Sequence, residues 1–289
     1  MKRSGNVIIF LLVAFVGSTQ TKELAPLVKP EVNENQVMFK KTIWRRMDMN
    51  EKQNRPFFSK NGEIARLLIE AVDEGLLTPY RSDSCISFMP DIIFSSNVSV
   101  ERENNPFVGG GFTSGGFDDS FDDDSSTQSD ESDTPGNGTK LESIPPELFT
   151  SLWIREELIF DRNRSRMYYY IRSLTIYLPK NAGTLYNPGG FEKKIASFKY
   201  DDVVELFRGP YSDRAIYYNQ YNSGQYMNMS DAFELRLFRA PIIRISNPDN
   251  LDIREIYAEE LAINPLKAII IQQQYEYDLM EYESELWEY

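Results

Sequence analysis

The sequence predicts an α+β fold: an antiparallel, hairpin-based sheet with packed helices and a C-terminal helix, in two blocks joined by a disordered acidic loop. Three observations predict it. Ile154–Phe160 and Arg166–Leu178 are runs of β-branched and aromatic residues on either side of a polar turn, Asp161–Ser165, which is the pattern of a long hairpin. Helical periodicity marks Glu63–Leu77 and the stretch from Asn264 to the end. Between the blocks, Glu101–Lys140 is dense in Gly, Ser and Asp, and such material buries too little apolar surface to offset chain entropy.

In chain order, residues 1–20 read as an export signal. Lys2 and Arg3 give a positive start, Val7–Val16 is an apolar run of ten residues, and Gly17, Ser18 and Thr19 are the small residues a signal peptidase accepts. Ten residues make a helix of roughly 15 Å, half of a bilayer core of about 30 Å. No cysteine follows the run, so no lipid is expected on the new amino terminus, and the mature chain is expected outside the cytoplasm. Residues 21–37 are charged, proline-bearing and aperiodic, an extended arm.

Residues 38–100 form the first α+β block. A strand near Lys41–Met49 places Ile43, Arg45 and Met47 on one face and Trp44, Arg46 and Asp48 on the other. The Arg46 guanidinium is therefore expected to stack on the Trp44 indole and pair with Asp48. After a turn at Asn54–Pro56, a helix capped by Asn61 buries Ile64, Leu67, Leu68, Ala71 and Val72 and stops near Gly75 and Pro79. Ile86–Met89 and Ile92–Phe94 read as short strands. Residues 101–140 form the disordered acidic linker or insertion loop.

Residues 141–289 form the second α+β block. Pro145 and Pro146 precede a short helix at Glu147–Leu152, and the hairpin follows. Strict alternation along RMYYYIRSLTIYL puts Tyr168, Tyr170, Arg172, Leu174, Ile176 and Leu178 on one face and Met167, Tyr169, Ile171, Ser173, Thr175 and Tyr177 on the other. Both faces are rich in aromatic and aliphatic groups, so the strand is packed on both sides or lines a subunit interface. Tyr200–Arg208 and Ser230–Arg239 read as short helices. Asn264 and Pro265 start a terminal helix whose stripe is Ala268, Ile271, Tyr275, Leu279, Tyr282 and Leu286, with Glu276, Glu281, Glu283 and Glu288 outward. Trp44 with Arg46 and Trp153 with Arg155 share a W-x-R spacing, compatible with an internal repeat.

Composition excludes several functions. The formal net charge is −13, and removal of Lys2 and Arg3 with the signal makes it more negative. Such a surface repels nucleic acid and anionic headgroups, so no nucleic-acid role is expected and any membrane association is indirect. There is no histidine and one cysteine, Cys85, which removes zinc sites, Cys–His dyads, Ser–His–Asp triads and intrachain disulfides. FVGGGFTSGGF lacks the Gly-Lys-[Ser/Thr] ending of a phosphate loop. No carboxylate pair stands out, so no catalytic residue, metal or cofactor is expected. Tyr217, Tyr218, Tyr221 and Tyr226 offer stacking surfaces, which leaves an exported glycan- or ligand-binding protein associated with the outer membrane as the alternative function.

Four stretches carry a resemblance. Ile43–Phe58 (IWRRMDMNEKQNRPFF) has W-R-R-x-D, a polar turn and N-x-P-[FY]-[FY]. Glu63–Leu77 runs as a helix into Thr78–Tyr80, Glu156–Met167 reads EELIFDRNRSRM with Leu158 where a Trp is usual, and Asp278–Tyr289 ends DLMEYESELWEY. In this order they resemble GldN/PorN, a component of the Bacteroidota type IX secretion and gliding motility machinery. The resemblance runs from about Lys40 to the end and leaves out Glu101–Lys140. It implies a non-enzymatic periplasmic subunit that assembles with the outer-membrane lipoprotein GldK/PorK into a large ring-shaped hetero-oligomer and contacts the motor component GldM/PorM. It also implies outer-membrane association through the lipoprotein. A ring built from heterologous contacts needs two distinct patches per subunit. The first candidate patch is Trp44, Arg45, Arg46 and Asp48; the second is Asp161, Arg162, Arg164 and Ser165 at the hairpin turn.

Overall fold

Five antiparallel strands make the main sheet: β1 (Val37–Asp48), β2 (Ser151–Asp161), β3 (Arg166–Leu178), β4 (Lys193–Lys199) and β5 (Ile242–Ile245), in the order β5-β1-β2-β3-β4. The computed structural model describes residues 32–102, 140–219, 221–222, 224 and 226–287. The signal and most of the arm, and the acidic stretch apart from its ends, lie outside the described residues. Within residues 31–289 the two predicted blocks share one compact unit, because β1 lies between β5 and β2. The acidic stretch departs and returns at one place: Ser99–Arg102 pairs antiparallel with Lys140–Ser143.

The hairpin forms where the sequence places it, with β2 ending at Asp161 and β3 starting at Arg166. Strict alternation along β3 does not hold. Arg155 pairs with Ser173 and Glu156 with Ile171, so Arg172 is an inserted residue, a β-bulge. The bulge reverses the side-chain parity beyond it. Met167, Tyr169 and Ile171 therefore join Leu174, Ile176 and Leu178 on one face, and Tyr168 and Tyr170 join Ser173, Thr175 and Tyr177 on the other. One extra residue turns a strand that reads as apolar on both sides into one with a single core face.

That core face carries two apolar clusters. The larger packs Met47, Leu152, Ile154, Leu174 and Ile176 against α1 (Ile64–Asp73), α2 (Asp91–Val98), α3 (Tyr200–Arg208) and α4 (Met229–Glu234). Helix α1 buries Ile64, Leu67, Leu68 and Ala71 as its periodicity predicts. Its cap is Glu63; Asn61 adopts a left-handed conformation (φ 63°) in the preceding turn, and Gly75 (φ 72°) closes the other end. Ile92–Phe94 is helical, within α2, because Pro90 supplies an extended residue just before the first turn. Ile86–Met89 contributes only an isolated bridge from Phe88 to Tyr80. Pro146–Leu148 is a single 3-10 turn, and β2 already starts at Ser151, so no helix spans Glu147–Leu152. Helix α4 ends at Glu234, before the predicted Arg239.

The smaller cluster gathers Leu158, Ile242, Ile271 and Leu279 with α5 (Ile253–Ile256), α6 (Ala258–Ile263) and α7 (Lys267–Trp287). Ile271, Tyr275 and Leu279 of the predicted stripe face the sheet, and Tyr282 meets Phe39 at a ring separation of 4.9 Å. Two glutamates expected outward point inward instead: Glu276 pairs with Arg45 at 3.0 Å, and Glu283 accepts from the Met167 N–H at 3.3 Å. The sheet supplies cations and free N–H groups along the line where α7 lies, and these outweigh hydration of the two carboxylates. Among the described residues no helix is long and apolar enough to cross a membrane.

Candidate functional site

The two W-x-R motifs lie on neighbouring antiparallel strands and pair crosswise. Trp44 is opposite Arg155, and Arg46 is opposite Trp153. The shared spacing is thus met by reciprocal pairing across one ladder, which puts two indoles and two guanidiniums together on the face of the sheet away from the core. Trp153 stacks on Tyr177 from β3 at a ring separation of 4.5 Å and an interplanar angle of 26°.

The arginine that stacks on Trp44 is Arg244, from the paired strand β5, with its guanidinium carbon 3.9 Å from the ring centroid. Arg46, expected in that role, instead donates to Glu192 at 3.1 Å, and Ser151 Oγ donates to the same Glu192 oxygen at 2.5 Å. Residues two apart on a strand project in parallel, about 7 Å apart, whereas the cross-strand partner is closer to the ring. Asp48 is used locally as well: it accepts from the Asn50 backbone N–H at 2.9 Å and fastens the turn after β1.

A loop, residues 81–88, crosses this face. Tyr80 anchors it to β4 by exchanging backbone hydrogen bonds with Ser197 at 2.8 and 3.0 Å. Ser173 Oγ donates to the Asp83 carbonyl at 2.6 Å, and the Asp83 carboxylate accepts the Trp44 indole N–H and lies 3.7 Å from Arg244. Beneath the loop is a cavity of about 190 Å³ bordered by both indoles, Arg155, Tyr177, Lys194 and Arg244. Burial raises the Tyr177 phenol and the half-buried Cys85 thiol, the latter to about 11, and lowers the Lys194 ammonium.

Arg45 points to the opposite, core face. Its Nε donates to Glu156 at 3.0 Å, and its guanidinium also reaches the Ala240 carbonyl and Glu276, each at 3.0 Å. Arg236 approaches the fully buried Glu156 in bidentate fashion, at 2.7 and 3.1 Å, and lies over the Tyr169 ring at 4.6 Å. Glu156 stands between Ile154 and Leu158 on one strand, so this ionic group divides the two apolar clusters and ties α7 to the sheet.

The second predicted patch is apart from the first. Asp161 lies six residues along β2 from Arg155, roughly 20 Å away. Its carboxylate is buried, which pushes its pKa up, but hydrogen bonds from the Asn163 and Arg164 N–H groups and the Arg164 guanidinium outweigh this and hold it below the ordinary value. Ser165 takes the left-handed position (φ 48°), and the Arg162 N–H donates to the Gln36 carbonyl at 2.9 Å. Asp161, Arg164 and Ser165 thus shape the turn. Of the tyrosines offered as stacking surfaces, Tyr217 packs on Phe57 and Tyr218 on Tyr226, while Tyr221 is exposed.

Sequence reasoning missed Arg244, Asp83, Glu192 and Lys194, which complete the indole cluster from distant parts of the chain. Only the alternation of β5 could have oriented Arg244. It also read the outward side of α7 as glutamates alone, whereas Ile270, Tyr277, Met280 and Trp287 there are each more than half exposed (63, 61, 55 and 60 %). Among the described residues no group of three or more acidic or Cys side chains is arranged to hold a metal ion.

A family model described as "Gliding motility associated protein GldN" matches residues 32–288. The chain belongs to the GldN family. A comparison with curated proteins found no match. Family membership accounts for the four motifs, and the structure of this GldN-family chain gives them physical roles. Asn54 of the N-x-P-[FY]-[FY] stretch is fully buried, donates to the Asp48 and Arg239 carbonyls at 2.8 Å each and accepts from the Arg239 N–H at 2.7 Å. Phe57 behind it fills the core against Phe233 at a ring separation of 4.8 Å. Tyr80 anchors the loop, Asp161 shapes the hairpin, and Asp278–Trp287 of the acidic terminal motif belong to α7.

Proposed function

We propose that this gliding-motility-associated chain is a non-enzymatic periplasmic structural subunit of the type IX secretion and gliding machine. It assembles with a GldK/PorK-type outer-membrane lipoprotein into a ring, contacts a GldM/PorM-type motor component, and reaches the outer membrane only through the lipoprotein. Its action is mechanical, with force or conformation passed through protein contacts.

The observation that carries this reading is the outward row of α7. Ile270, Tyr277, Met280 and Trp287, spaced by seven, three and seven residues, share one helix side and face away from the sheet that the opposite side packs on. Large exposed apolar and aromatic side chains in a row mark protein contacts. The buried charges, by contrast, are tied into pairs that hold elements together, as Glu156 and Asp161 are. The indole cluster of Trp44 and Arg46 is the second proposed contact; Arg45 supports it from the core side by fixing β1.

The test is affinity capture of the tagged full chain from gently extracted envelopes. Wild type is expected to retain the lipoprotein, and Tyr277→Lys/Met280→Lys to lose it with unchanged circular dichroism. Wild type captured without the lipoprotein would overturn the reading. Arg46→Glu asks the same of the indole cluster, and full recovery of the complex would remove that cluster from the contact surface.

A further inference from the structure

The cavity under the 81–88 loop has a charge pattern that its own fold does not balance. Arg155 and Lys194 line it, both half-buried, and neither side chain forms a hydrogen bond or ion pair with any described residue. The Trp153 indole N–H is buried and likewise has no acceptor. The third cation, Arg244, is matched: Asp83 and Asp252 each lie 3.7 Å from it. Asp83, also on the cavity wall, is hydrogen-bonded to the Trp44 N–H and lies 3.7 Å from Arg244; its charge also reaches Lys194, but it makes no direct contact with Lys194 or Arg155.

Uncompensated half-buried cations are costly, and a buried donor left unpaired costs the full desolvation of that group. Their convergence is unexpected in a chain whose net charge is −13, where carboxylates are the commoner neighbour. We propose that this cavity is a binding site for one oxyanion, a carboxylate or a phosphate group, held by the Arg155 guanidinium, the Lys194 ammonium and the Trp153 indole N–H.

The chemistry is specific. Arginine offers a planar fork that matches two oxygens of a carboxylate or phosphate, and lysine adds a compact point charge. The stacked Trp153 and Tyr177 rings form one side of the site. A volume of about 190 Å³ is below the range of sites for whole drug-sized ligands, so the cavity takes a group and not an extended chain. Burial holds the Lys194 ammonium below its ordinary pKa against the opposing field of Asp83. The inference stands independently of the assembly reading, since isolated chain suffices to test it.

Two of the three tryptophans border the cavity, so intrinsic fluorescence reports its occupancy. The full chain is titrated with inorganic phosphate and, separately, with acetate, at ionic strength held constant with chloride. A saturable change is expected with at least one probe. Saturation by phosphate alone assigns phosphate, and saturation by acetate alone assigns a carboxylate. Arg155→Gln/Lys194→Gln is expected to weaken binding by at least about 10-fold, the loss of one charge-assisted hydrogen bond or more. The single variants give the same reading at smaller amplitude should the double variant not fold. Melting adds a second readout: cations that serve only the fold lose stability on neutralisation, whereas binding-site cations leave the melting temperature unchanged or higher. Absence of saturation with both probes, or double-variant titrations that overlay wild type, would overturn the proposal.

Discussion

Replacing Glu156 by Gln removes one negative charge from between two guanidiniums and leaves the side-chain shape almost intact. The fully buried carboxylate accepts from Arg45 Nε at 3.0 Å and from Arg236 at 2.7 and 3.1 Å. Removing one partner of a buried ionic group costs about 3–5 kcal/mol, because the remaining charge is stranded. Two features set the value at the lower end. The Arg236 side chain is 29 % exposed and can regain water, and Arg45 keeps Glu276 and the Ala240 carbonyl. A cost of about 3 kcal/mol follows, which for a domain of this size lowers the melting temperature by about 6–12 °C. Circular dichroism melting and urea unfolding measure it. Glu156→Leu/Arg236→Met should recover most of the loss, since Glu276 still neutralises Arg45 and apolar groups replace the desolvated pair. A loss below about 1 kcal/mol for Glu156→Gln, the size of an exposed pair, would show that the ionic group does not fasten the two clusters.

Asn54→Ala leaves the Arg239 carbonyl and N–H without their Asn54 partners and the Asp48 carbonyl with only the Glu51 N–H at 3.2 Å, and should cost about 2–3 kcal/mol in urea unfolding. Stability should fall on acidification. Asp161, Glu63 and Glu157 are pushed upward by burial but held below their ordinary values by hydrogen bonds, from Asn163 and Arg164, from Arg66, and from Arg172 respectively. Each therefore contributes stability that is complete above about pH 4.5 and lost as pH drops through its lowered pKa. Asp252, raised by burial, works in the opposite direction. Urea midpoints measured from pH 6 to pH 3 should decline, and Asp161→Asn should flatten the decline. With its thiol at about 11, Cys85 should react with iodoacetamide at pH 8 about 100-fold more slowly in folded protein than in urea. Equal rates would contradict its burial.

The sequence made local elements legible wherever one period ran without interruption. The hairpin and its turn, α1, α3 and the buried stripe of α7 belong to this class, because each needs only neighbours in the chain to be satisfied. Interruptions were not legible. The bulge at Arg172 is set by pairing with β2, and nothing within RMYYYIRSLTIYL marks which residue is extra. Ile92–Phe94 is short and apolar and reads as strand until Pro90 and packing on β4 decide for helix. The indole cluster was half legible. Trp44, Arg46, Trp153 and Arg155 announced themselves by spacing, but their crosswise pairing is a matter of strand register. Arg244, Asp83, and Glu192 with Lys194 arrive from three other segments, so no local pattern could have named the true partners.

Native mass measurement of the particle released by gentle envelope extraction tests most directly whether this chain acts by contact. A ring-sized assembly that contains many copies of the chain together with the lipoprotein, and that disperses on Tyr277→Lys/Met280→Lys, is the predicted result. A wild-type chain released as a free monomer, at an abundance matching the cell, would contradict it.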